Sequence, residues 1–115
     1  MTVTVYGIPN CDTVKKARKW LDAQGVAYTF HDYKKAGADA GKLAAWIDAK
    51  GWEVVLNKRG TTFRKLDDAD KADIDAAKAA RLLEANPSMI KRPVVEYDGG
   101  VLVGFNPDDW QAALG

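Results

Sequence analysis

Hydrophobic and polar residues alternate over "VTVY" (Val3 to Tyr6), and the run stops at Gly7. A period of two with β-branched and aromatic residues predicts a strand. After the loop "IPNC" the period changes. Val14, Ala17 and Leu21 recur at three-to-four spacing with Trp20 beside them, which predicts a helix from Asp12 to Gln24. Gly25 suits the left-handed position after the last turn. "VAYTFHDY" alternates again at Val26, Tyr28 and Phe30 and predicts a second strand. One helix between two strands so close in sequence implies a right-handed, parallel βαβ unit.

The middle of the chain is helical in pattern. "DAGKLAAWIDAKG" sets Leu43, Trp46 and Ile47 at helical spacing and closes at Gly51. "WEVVLNKRG" predicts a short helix through Trp52, Val55 and Leu56, although its paired valines also suit a strand. "TTFRKLDDADKADIDAAKAARLLEANP" is alanine-rich and is expected to be helical over most of its length. Its regular half is Asp75 to Ala85, with Asp73 or Asp75 as cap and Pro87 as stop. The strand pattern then resumes in "RPVVEY" and "VLVGF". Between them Asp98-Gly99 signals a tight hairpin whose turn needs positive φ. "NPDDWQAAL" closes the chain as a helix capped by Asn106, with Pro107 in its first position. The order βαβ, helices, ββα is the thioredoxin arrangement, of glutaredoxin type, with the crossover enlarged into a helical lobe. The expectation is a single α/β domain: a core over about 1–35 and 88–115, and a helical insert over about 39–86.

Composition narrows the function. With 17 Lys and Arg against 16 Asp and Glu, the net charge is +1. No strong field steers the chain to nucleic acid or an anionic membrane, so direct nucleic-acid binding is not expected. No apolar run approaches the ~20 residues of a membrane span. The N-terminus lacks the basic and long apolar segments of a signal peptide, so a cytoplasmic location is expected. A domain of this length buries roughly 65% of its unfolded surface, so it needs no disulfide to fold, and a monomer is expected. The one cysteine, Cys11, closes no internal disulfide and builds no multi-thiolate metal site. Neither a metal nor a bound cofactor is expected. The four tryptophans are expected in or beside the core. "DDADKADID" is expected to be a solvated face, and "NKRGTTFRK" a loop packing the lobe against the sheet. His31, the only histidine, is expected to lie too far from Cys11 to act as its base.

Cys11 falls at the cap position of the first helix. A helix N-terminus favours an anion, and the thiolate is the reactive form of cysteine. The N–H groups of Thr13 and Val14 are expected to point at the sulfur, with the Thr13 hydroxyl in reach. Lys15 and Lys16 add positive charge one turn on, and Asp12 opposes it.

"YGIPNCDTVKKARKWL", "LNKRGTTFRKL", "NPSMIKRPVV" and "VGFNPDDWQAAL" together resemble the ArsC/Spx/YffB family of arsenate-reductase-like proteins, most closely the YffB-type subgroup. The resemblance runs from Val3 to Leu114. It implies a thioredoxin-like fold with an inserted helical lobe and makes Cys11 the nucleophile. Arg92 matches the arginine near the thiol in these proteins. Pro93 matches the proline that is cis in thioredoxin-like folds. A guanidinium keeps its charge at any working pH and grips oxyanions bidentately, which suits Arg92 to a thiolate or a bound anion. Cys11 and Arg92 are the candidate catalytic residues. Asn10, Thr13 and Lys15, with Arg92 and Pro93, are the candidate substrate- or glutathione-binding residues.

The match departs from the family in two places. Arsenate reductases of this type carry two further arginines, which would fall near Glu53 or Val54 and near Gly104 or Phe105. This chain has none there, and Arg59 and Arg64 do not align with them. Many Spx-type regulators carry a Cys-x-x-Cys switch, whose second position here is Val14. The resemblance therefore implies a one-thiol, glutathione-dependent thiol-disulfide reductase. Glutathione would be reductant, and glutaredoxin or protein disulfides would be partners. An Spx-like adaptor that binds RNA polymerase and an arsenate reductase are the alternatives.

Overall fold

The computed structural model describes residues 2–115. The chain divides into two compact units. One runs through Ala36 and resumes from Arg92 to Gly115; the other is Gly37–Lys91.

The first unit is built on a four-stranded sheet. Strands β1 (Thr4–Gly7), β2 (Thr29–Asp32), β3 (Val94–Tyr97) and β4 (Gly100–Val103) lie in the order β2-β1-β3-β4. β1 and β2 are parallel, while β1–β3 and β3–β4 are antiparallel. This is the mixed sheet of a thioredoxin-like fold, with helix α1 (Asp12–Ala23) as the βαβ connection and α8 (Pro107–Leu114) closing the chain. α1 buries Val14, Ala17 and Leu21, the stripe its periodicity marks. A side chain at Gly7 would put a Cβ 3.0 Å from Val14 Cγ2, so the glycine lets the helix sit on the strand end. α1 ends in a Schellman motif: Val26 N–H donates to Leu21 O and Gly25 N–H to Asp22 O, with Gly25 at φ 71°.

Val3, Val5, Ala17, Leu21, Val95, Leu102 and Trp110 form the core of this unit. Trp110 is fully buried, and its indole N–H donates to Gly104 O at 3.1 Å. Trp20 and Phe105 meet its ring edge-on at 5.9 and 4.9 Å. α8 is held at its start by Asn106, whose Oδ1 accepts from the N–H groups of Asp108 and Asp109.

Two expectations are corrected here. The second strand is shorter than "VAYTFHDY", because β1 offers partners only from Thr4, which pairs with Thr29. Tyr33 leaves the strand and opens a helical turn, α2 (Tyr33–Ala36). The β3–β4 hairpin forms with Asp98 and Gly99 as its loop, but the positive φ falls at Gly100 (151°) rather than at either of them.

The second unit is helical. α3 (Ala40–Lys50) is capped by Asp39 and buries Leu43, Trp46 and Ile47. α4 (Trp52–Val55) follows, settling "WEVV" as helix. The alanine-rich run is helical over most of its length, as expected, in three pieces: α5 (Thr61–Arg64), α6 (Asp68–Lys71) and α7 (Ala76–Ala85). Aspartates favour turns and caps over helix interiors. Asp73 takes φ 51° between α6 and α7, and Asp75, not Asp73, caps α7 by accepting from Lys78 N–H at 2.8 Å. Lys78 Nζ in turn donates to the carbonyls of Ala69 and Ala72. An isolated bridge, Leu56 to Ile90, and the Thr62–Ser88 hydroxyl contact at 2.9 Å tie the two ends of this unit together.

Truncating Trp110 to alanine removes the largest buried ring and orphans Gly104 O. Guanidinium denaturation of Trp110→Ala is expected to show a loss of about 3–5 kcal/mol. Val54→Ala, at an exposed position on α4, is expected to stay within about 0.5 kcal/mol.

Candidate active site

Three chain segments end at one edge of the sheet. β1 ends at Gly7, which is in register with Asp32, the last residue of β2. β3 starts at Val94, in register with Tyr6, because it runs antiparallel to β1. The next residues outward are the loop Ile8 to Cys11, Tyr33, and the Arg92-Pro93 pair. The edge beyond the carboxyl ends of parallel strands is where ligands sit in open α/β sheets.

Cys11 is the N-cap of α1, with φ −83° and ψ 127°. Its carbonyl accepts the first helical bond, from Lys15 N–H at 3.0 Å, and its own N–H donates to Ile8 O at 3.2 Å. The loop is thus a tight turn that fixes the thiol at the helix end. The thiol is half-buried and not in a disulfide. One expectation fails: the sulfur accepts no capping hydrogen bond from the first-turn N–H groups. First-turn N–H groups have no partner within a helix, which is why a helix N-terminus favours an anion.

Arg92 is half-buried, and its peptide bond to Pro93 is cis. Pro93 is buried, and its carbonyl accepts from Gly104 N–H at 2.8 Å, which fastens the bend to the end of β4. Gly104 has φ 77°, and Phe105 packs on Trp110. A side chain at Gly104 would be strained at that φ, and the Phe105 ring is committed to packing. Glu53 and Val54 are exposed on α4.

Tyr33 is the residue that sequence reasoning missed. Its side chain is 1% exposed. Burial, first of all, holds its hydroxyl proton well beyond the ordinary tyrosine range; Arg92 opposes this, and Cys11 and Asp32 add to it. The signal was present in the sequence. Asp32 can cap a following turn, and its Oδ1 does accept from the N–H groups of Lys34 (3.0 Å) and Lys35 (3.4 Å).

Asn10 precedes Cys11 in the chain, and Thr13 and Lys15 lie in the first turns of the helix that Cys11 caps. Asn10 and Thr13 are exposed. Lys15 lines a shallow groove along the outer face of α1 with Asp12, Lys16, Lys19 and Tyr28. His31 lies against the Tyr6 ring at 5.1 Å on the sheet.

A family model described as the ArsC family matches residues 6–113. The chain belongs to the ArsC family. The solved structure of the YFFB protein is 59% identical and superposes with a TM-score of 0.96, covering 98% of this chain and 99% of that one. An arsenate reductase (ArsC) related protein from Brucella melitensis is 54% identical with a TM-score of 0.77, covering 97% and 93% of the two chains. The global transcriptional regulator Spx of Streptococcus mutans is 28% identical over 97% of this chain and 82% of its own length.

The raised Tyr33 value sets a sign for alkaline stability. Below the ordinary value of 10.0 the folded and unfolded chains both keep this proton. Above it the unfolded chain releases the proton first, so this residue's contribution falls as pH rises. Urea midpoints of the parent chain are expected to decline more steeply above pH 10 than those of Tyr33→Phe.

Proposed function

We propose that this protein is a one-thiol, glutathione-dependent thiol-disulfide reductase with Cys11 as its nucleophile. The observation that carries the reading is the convergence of Cys11 and Arg92 at one sheet edge, with the thiol at a helix N-terminus. The Cys11 thiolate attacks the glutathionyl sulfur of a mixed disulfide. A Cys11–glutathione disulfide forms, and the substrate's thiolate leaves and takes a proton from water. Glutathione thiolate then attacks the glutathionyl sulfur on Cys11. Oxidised glutathione leaves and the Cys11 thiolate returns, so the protein needs no second cysteine.

Arg92 keeps its charge throughout and holds negative charge beside the reacting sulfur. It also offers a bidentate donor to a glutathione carboxylate. The backbone after cis-Pro93 is the second candidate contact for the tripeptide. Asn10, Thr13 and Lys15, all exposed beside Cys11 in the chain, are further candidate contacts for the ligand.

The likeness to Spx regulators favours a second reading, an adaptor that contacts RNA polymerase. The two differ in their need for the thiol, because an adaptor keeps its partner in Cys11→Ser. Arsenate reduction is a third outcome. It is the least favoured, because a doubly charged oxyanion calls for several cationic donors and Arg92 is the arginine matched at this edge.

Incubation with oxidised glutathione is expected to add one glutathionyl group to the protein, seen by mass spectrometry and absent in Cys11→Ser. A glutathionylated peptide with glutathione is expected to be turned over. Arg92→Ala is expected to slow adduct formation roughly tenfold, the scale of a charge-assisted contact, with partial recovery in Arg92→Lys. No adduct and no turnover, with polymerase retained by Cys11→Ser, would establish the adaptor. Arsenate-dependent oxidation of glutathione would establish the reductase of arsenate instead.

A further inference from the structure

We propose that the outer face of α1 is a docking surface for an acidic segment of a protein substrate, laid along the helix so that it leads to Cys11. The inference rests on the reductase reading and deepens it by naming the chemistry of the protein that carries the disulfide.

The charges come first. Lys15, Lys16 and Lys19 are exposed on α1, and with Arg18 they put four cations into five residues. Over the whole chain the net charge is only +1, so positive charge is concentrated on this helix. Helix stability does not account for the cluster. Lys15 and Lys19, one turn apart, repel each other. The last turn, where the helix dipole favours a cation, has none. The cluster costs the helix and suits an anion outside it.

The surface is shaped as well as charged. The three lysines line a groove with Arg18 and Tyr28. Arg18 is half-buried and held in place. Its guanidinium lies 4.3 Å from the Phe30 ring centroid, and its Nε–H donates to the Tyr28 hydroxyl at 3.0 Å. The terminal N–H groups of the fork are left to a carboxylate, at little cost in side-chain freedom. Arg18 also lines a second groove with Val26, Ala27 and Phe30, an apolar stretch beside the cationic one. The segment that fits carries acids with an apolar residue next to them.

Geometry favours a short peptide segment over a polyanion. Lys15 and Lys19 are about 6 Å apart along the helix axis. Alternate side chains of an extended chain share a face at about 6.6 Å, so acids at every second position meet successive turns. Asp12 and Asp22 border the same groove and repel a long phosphate backbone or an anionic membrane. Asp12 is the residue after Cys11, so a docked segment lies within a turn or two of the thiol.

The test is binding of a fluorescent, cysteine-free peptide with aspartates at alternate positions and a leucine after them, followed by anisotropy. Charge reversal at two exposed positions, Lys16→Glu with Lys19→Glu, is expected to weaken binding roughly tenfold at low salt. Raising salt to about 0.5 M is expected to remove most of that difference. The same peptide with lysine in place of aspartate is expected to bind the double variant better than the parent. Equal affinity of the parent for the acidic and basic peptides would overturn the proposal. So would tighter binding of a single-stranded oligonucleotide of equal charge, or of vesicles containing phosphatidylserine, than of the acidic peptide. Should the double variant fail to fold, the comparison of the two peptides on the parent decides alone.

With glutathionylated peptides as substrates, flanking aspartates are expected to lower KM roughly tenfold and to leave kcat unchanged. The anisotropy assay involves no thiol chemistry, so the two readings fail separately. Binding of the acidic peptide without turnover of any glutathionylated peptide would sink the reductase and leave the docking surface standing. Turnover with one KM for acidic and neutral peptides would do the reverse.

Discussion

The site depends on strand register. Gly7 opposite Asp32 and Tyr6 opposite Val94 bring three otherwise distant parts of the chain to one sheet edge. A slip of one residue in either pairing would turn each strand's side chains to the other face and carry Cys11, Tyr33 or Arg92 out of reach. Register is in turn held by the core. Val5 and Val95 face α1 and Trp110, so a shifted strand would bury polar groups and expose valines. The chemistry at the edge and the packing beneath it are one constraint. Pro93 joins them directly, since its carbonyl is tied to Gly104, whose own carbonyl takes the Trp110 indole N–H.

What the edge presents is sparse: the Cys11 thiol, the Arg92 guanidinium, and Tyr33 beside the Asp32 carboxylate, which is taken up by the N–H groups of the next turn. The thiol is a nucleophile that cannot close a disulfide within the chain, because Val14 occupies the place of a resolving cysteine and is itself fully buried under Gly7. Any second sulfur comes from another molecule. One fixed cation suits a reaction whose charge moves from one sulfur to another without accumulating, as thiol-disulfide exchange does. The same economy distinguishes this ArsC-family chain from a site built to surround an oxyanion with several donors.

Much of this was legible in the residues. The period change from "VTVY" to Val14, Ala17 and Leu21 marks β1 and α1. Asn106-Pro107 marks the start of α8, and Gly25 the end of α1. These are local signals, each complete within a few residues. The misses are of another kind. The second strand was read too long because its length is set by β1, a partner far away in sequence. The alanine-rich run is helical over most of its length, as expected, but where it breaks is set by its five aspartates, which favour turns and caps over helix interiors. The N–H bonds to the Cys11 sulfur did not form, since a cap position does not dictate where a thiol points. Tyr33 was hidden by its own neighbour: with Phe30 and His31 it reads as strand, and only the Asp32 carboxylate reveals a turn.

The central claim is that the fold, not the cysteine alone, makes Cys11 reactive. Its most direct test compares the alkylation rate of Cys11 near neutral pH in the native chain and in the same chain unfolded in urea, at equal reagent concentration. The account predicts faster reaction in the native protein, although the thiol there is half covered. Equal rates, or a native thiol slower in proportion to its burial, would mean that the helix end and the guanidinium contribute nothing to the sulfur.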